Sequence, residues 1–216
     1  MNLCSNFVFQ STFKMNKEKD YIKDLAEIRQ MMERSSKFIS LSGWAGILAG
    51  IYALVAAYIA YTLFNFKPGE ESSITPSDML NVILLALALL VLALTTAVFL
   101  SYKSASKRSE PIWNATSRRL LLNMAVPLVT GGIFLIIMIS QSHFNMLSSI
   151  SLIFYGLALY NAGNFTYKEV KILGVILIIL GLISACFISW ALLIWAAGFG
   201  LMHIVYGIYI QVKYKR

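Results

Sequence analysis

Long uncharged runs alternate with short polar gaps along this chain, and the runs have the length of membrane-crossing helices. The first covers residues 38–66, between Lys37 and Lys67, and the second covers 79–102. A third covers 120–140, and a fourth covers 144–161 after the polar break Gln141-Ser142-His143. About 20 apolar residues in a helix cross a hydrocarbon core of about 30 Å. From 172 to 212 no charge occurs, and these 41 residues are too many for one crossing. We divide that run near 186–189, giving a fifth span over 168–186 and a sixth over 189–212, with no Pro or Gly to mark the turn. The pattern predicts an all-α polytopic transmembrane helical bundle of six spans over 38–212.

Charge placement orients that bundle. Seventeen of the 18 Lys and Arg residues precede span 1, follow span 6, or lie between spans 2 and 3 or 4 and 5. Lys67 alone occupies the other gaps. Cationic loops stay in the cytoplasm, which places both termini there. Five spans would put either the seven N-terminal or the three C-terminal cations on the wrong side. Composition agrees: 13% of residues are charged and mean hydropathy is +0.72, where soluble chains carry about 25% charge. Cationic rims against anionic lipid headgroups account for the net charge of +8 without direct nucleic-acid contact.

The ends and loops add detail. Residues 1–14 differ in character from the rest of the chain and read as a disordered stretch, or as a start misplaced ahead of Met15. Over 15–37, Ile22, Leu25, Ile28 and Met32 recur at helical spacing with charges on the other faces, predicting a cytoplasmic amphipathic helix. The segment has three readings, an interfacial helix on the inner leaflet, a helix for self-association or partner docking, or a bare coil. Thr75-Pro76-Ser77-Asp78 and Thr166-Tyr167-Lys168-Glu169 read as helix starts with hydroxyl caps, and Glu110-Pro111 restarts the chain before span 3. Residues 213–216 form a basic cytoplasmic tail.

Candidate chemistry is sparse. Glu169 opens span 5 at the same depth as Arg118 and Arg119, which makes a cytoplasmic rim pair the expectation. His203 lies near the middle of span 6 and shares a helix face with Gly200 and Gly207. Tyr155, Tyr52 and Thr130 sit at comparable depth, so a buried polar site around His203 is expected, either a structural hydrogen bond or a proton or ligand site. With His143 the only other histidine, and no HxxH, ExxH or CxxC spacing, no metal or cofactor is expected. Ser148, Ser149 and Ser151 lack an acid–base partner and GxSxG is absent, so no catalytic residue is assigned. The Gly43, Gly46, Gly50 face of span 1 suits helix packing, within the chain or between two copies. Pro127 is expected to kink span 3, with Asn123 satisfying a freed carbonyl.

The stretch Glu33-Arg34-Ser35-Ser36-Lys37-Phe38-Ile39-Ser40-Leu41-Ser42-Gly43, the run to Gly50-Ile51-Tyr52-Ala53, and the ending 198–207 resemble uncharacterised small six-span integral membrane proteins of Bacteroidota. The resemblance covers 16–216 and implies a bacterial inner membrane location. It also implies a neighbouring gene for a winged-helix transcriptional regulator, but carries no site residues. Two functions are expected from these features. One is a non-enzymatic sensory, regulatory or scaffolding protein that docks a cytoplasmic regulator. The other is a small transporter or channel that works as a homo-oligomer.

Overall fold

The computed structural model describes residues 43–69, 75–107, 113 and 115–214. The expected segments 1–14 and 15–37, Glu110-Pro111 and the last two tail residues lie outside the described residues. Every regular element described is helical: α1 Gly43–Thr62, α2 Pro76–Lys107, α3 Ala115–Ser140, α4 Leu147–Ala162 and α5 Lys168–Cys186. The last stretch, Ile188–Tyr214, is composite. A 3-10 turn, Ile188–Trp190, leads into α6, Ala191–Trp195. A π segment, Ala196–Met202, then joins α6 to α7, His203–Tyr214. Among the described residues, α1, α2, α3, α5 and this composite helix are each long and apolar enough to cross a membrane. With 16 residues, α4 falls short of the usual 20 or so.

Local chemistry explains most of the ends. Asn65 adopts φ 50° beyond α1, a left-handed geometry that asparagine tolerates, and the Phe66 N–H returns to the Ala60 carbonyl at 2.9 Å. At the start of α2 the Thr75 hydroxyl accepts the Asp78 N–H at 3.2 Å and donates to the Asp78 carboxylate at 2.6 Å, the capping arrangement expected there. At the start of α5, Tyr167 is the residue before the helix and makes no side-chain cap bond, and Thr166, one position further back, is buried. The chain breaks at Phe187, where φ −117° and ψ 71° leave the helical region, inside the 186–189 stretch.

Glycine sets which helices meet. A Cβ on Gly43 would stand 2.5 Å from the Gly207 carbonyl oxygen, and one on Gly50 2.5 Å from that of Gly200. The small-residue face of α1 is therefore filled within the chain, by the composite helix running antiparallel to it. Close approach of α4 and α5 centres on Gly156 and Gly174, where a Cβ on Gly156 would come 2.7 Å from the Gly174 carbonyl. The buried core joins α3, α4, α5 and α7 through Leu120, Leu152, Leu159, Leu173, Leu177 and Ile210. A smaller cluster of Ala60, Phe66 and Met79 ties α1 to α2, and Phe144 and Leu192 pack against it.

One expectation about α3 changes. The helix runs through Pro127, which is buried. The carbonyl that proline leaves without an N–H is that of Asn123 itself; the Asn123 side chain donates instead to the Arg119 carbonyl at 2.8 Å. Meanwhile α2 packs along α1, and none of its most apolar window is buried.

Candidate functional site

The composite helix carries a stripe of aromatic and polar residues at three- and four-residue steps: Trp195, Phe199, His203 and Tyr206. The π segment lies in the middle of this stripe. Its wide turn brings the Gly198 carbonyl within reach of the His203 side chain five residues later, with Nδ1 3.0 Å away. The His203 backbone N–H bonds to Gly200 instead. A carbonyl oxygen can only accept, so Nδ1 carries the proton and Nε2 is left as an acceptor. The Tyr155 hydroxyl on α4 donates to that Nε2 at 3.3 Å. Both bonds suit a neutral imidazole, and the residue is 6% exposed.

Rings close the site on either side. Phe199 stacks on His203 at 5.9 Å between centroids with 10° between planes, and it also contacts Tyr155 and Trp195, each at 5.0 Å. One turn further along, Trp195 donates its indole N–H to the Ser151 hydroxyl at 3.1 Å, and Ser151 donates to the Ser148 carbonyl. Ser151 thus belongs to Trp195 and not to His203. Ser149 and Ser184 bond each other at 3.1 Å between α4 and α5, fully buried. The arrangement is a set of interhelical polar clasps in an apolar interior.

Of the residues expected around His203, the structure brings in Tyr155 alone. Thr130 is exposed on α3 and returns its hydroxyl to the Val126 carbonyl at 2.8 Å. Tyr52 is half-buried on α1, and no hydrogen bond or ring contact joins it to His203 among the described residues. The reason is rotational: His203 turns its backbone carbonyl toward Gly46 of α1 and its ring toward α4. Equal depth says nothing about which face a residue occupies.

The rim pair is also corrected. Glu169 meets Lys213 of α7, and accepts from the Tyr214 hydroxyl at 3.2 and 3.3 Å. Arg118 and Arg119 are exposed on α3 and pair with no carboxylate among the described residues. Lys213 also donates to the Tyr209 hydroxyl at 3.2 Å, and the Tyr214 ring lies 4.3 Å from that of Tyr167.

One group that the sequence did not single out stands apart. The Tyr206 hydroxyl is buried with no hydrogen-bond partner. Tyr206 belongs to the half-buried residues packed against the main core, as Tyr155 does. Its place in the stripe 195, 199, 203, 206 was the available signal. Among the described residues no group of three or more His, Cys, Asp or Glu could hold a metal, and Cys186 is free and exposed. No protein-family model, curated protein or solved structure matches the chain.

Proposed function

We propose that the chain is a multi-pass protein of the bacterial inner membrane, crossing six times with both ends in the cytoplasm. In this reading it performs no catalysis. It senses, relays or scaffolds, and docks a cytoplasmic regulator on its basic face. Support for six crossings comes from α4, which with its leading 3-10 turn Phe144–Met146 has nineteen helical residues, about 28 Å of rise. Support for shared ends comes from Gly43 lying against Gly207 and Gln211. Reporters fused to each terminus should both label from the cytoplasm; labels on opposite faces would sink the topology.

One contrast carries the functional part. Inside, His203, Trp195 and Ser149 are bonded to partner side chains, which leaves little free chemistry for a reaction. Outside, Lys103, Arg118 and Arg119 are exposed and pair with no carboxylate among the described residues. A cationic surface of that kind suits an acidic partner. The full-length protein should co-purify with a winged-helix regulator of the kind that the resemblance implies beside its gene. Replacing these three cations with alanine should abolish that complex; an undiminished complex, or none with the native protein, refutes the docking role.

The second reading is a transporter or channel working as a homo-oligomer. The observation favouring it is the Tyr206 hydroxyl, a buried polar atom in need of a water or solute beside the His203–Tyr155 pair. Flux into proteoliposomes that His203→Ala removes would favour this reading over docking.

A further inference from the structure

A second feature lies at the other end of the bundle from Glu169 and Lys213. Beyond α1 the Asn65 turn folds Phe66 into the small core, and the next residue, Lys67, is half-buried. The loop is pinned by Gly69, whose N–H donates to the Asn145 side chain at 2.8 Å. Between it and the start of the composite helix is a cleft of about 600 Å³, within the range of sites that take small apolar ligands.

The walls of this cleft are graded from apolar to charged. Leu54 and Ala57 of α1 face Leu192 and Leu193 of the composite helix, and Leu193 is 62% exposed, so the apolar part opens sideways. Tyr61 and Trp190 mark the mouth, at 54% and 61% exposure. Amphipathic rings of this kind settle at headgroup level. Lys67 sits there with its ammonium 5.7 Å from the Tyr61 ring centre and no carboxylate partner among the described residues. The described carboxylate at this end, Asp78, is engaged with Thr75. The Ser189 hydroxyl also lines the mouth. An apolar slot open to the side, ending in aromatic rings, a hydroxyl and one cation with no carboxylate partner among the described residues, matches an acyl chain that ends in an anion.

We propose that this cleft is a specific site for an anionic phospholipid, with an acyl chain between α1 and the composite helix and the phosphate against Lys67 and Ser189. The site rests on the chain lying in a bilayer, and is independent of the regulator-docking role. Its expected selectivity follows from one cation near the headgroup, which is worth about fivefold in occupancy.

The test uses the full-length protein in nanodiscs of equal phosphatidylglycerol and phosphatidylcholine, read by native mass spectrometry of retained lipid. The native protein and Lys67→Arg should retain phosphatidylglycerol over phosphatidylcholine by about fivefold. Lys67→Gln should remove the preference, while Lys168→Gln, on an exposed cation at the opposite end, should preserve it. Phosphatidylglycerol with a diazirine in its acyl chain should cross-link to peptides containing Leu54 or Leu193. The proposal fails if Lys67→Gln keeps the preference, or if both glutamine variants lose it equally. Cross-links confined to α2 and α3 would also overturn it. So would displacement of the lipid by equimolar palmitate, which would make a free carboxylate the occupant. Absence of any retained lipid would overturn the site as well, while leaving the membrane reading to the terminal reporters.

Discussion

Helices α2 and α5 are both long enough to cross a membrane, yet they are held very differently. The most apolar window of α2 has no buried residues, whereas a third of that of α5 is buried. Apolarity therefore does not mark the core of this molecule. Where hydrocarbon surrounds a bundle, a leucine gains little by exchanging lipid for protein, and close packing and polar pairs decide which helices associate. The buried face of α5 carries Gly174, Gly181 and Ser184, each set into a groove of α4. No glycine occurs in α2, and Thr95 there returns its hydroxyl to the Val91 carbonyl at 2.8 Å instead of reaching a neighbour.

The largest test of that contrast compares two glycines. A Cβ on Gly156 would meet backbone atoms of α5 at 2.7 and 2.9 Å, whereas one on Gly132 of α3 would meet nothing within 4 Å. Gly156→Ala should destabilise the protein by about 1–3 kcal/mol in detergent unfolding. Gly132→Ala should be neutral or raise stability by up to about 1 kcal/mol through helix propensity. Equal effects would show that the α4–α5 seam is not packed through Gly156.

A smaller effect is expected at the polar clasps. His203→Phe and Tyr155→Phe should each cost about 0.6–1.7 kcal/mol, and the double variant should cost less than their sum. Strict additivity in that cycle would mean the two side chains do not bond. The smallest effect belongs to α2: Leu87→Val, at a residue 53% exposed, should change stability by less than about 0.5 kcal/mol. A larger loss would mean that α2 is covered by another surface, such as a second copy.

Much of the architecture was legible along the chain because spans obey a one-dimensional rule. Charge-free runs mark the helices, and the break falls at Phe187 because the stretch is too long for one crossing. Thr75 was readable as a cap because capping involves residues three apart. Thr166 lies one residue further from its helix, and its burial was not readable from the same kind of motif. The candidate site was legible only in part. His203 and Tyr155 do meet, but Thr130 returns its hydroxyl to its own helix and Tyr52 makes no hydrogen bond or ring contact with His203 among the described residues. Glu169 went to Lys213, forty-four residues away, because α7 ends beside the start of α5.

Sequence by itself determined the helical class, the long apolar helices and the crowding of cations at alternate gaps, since each depends on hydration of side chains in chain order. Tertiary structure alone decided the neighbours of each helix, through glycine contacts spread from Gly43 to Gly207. It also decided the π segment that brings the Gly198 carbonyl to His203, and the isolation of the Tyr206 hydroxyl. These depend on how helices rotate about their own axes, and rotation is set by side-chain volumes on facing surfaces that chain order does not bring together.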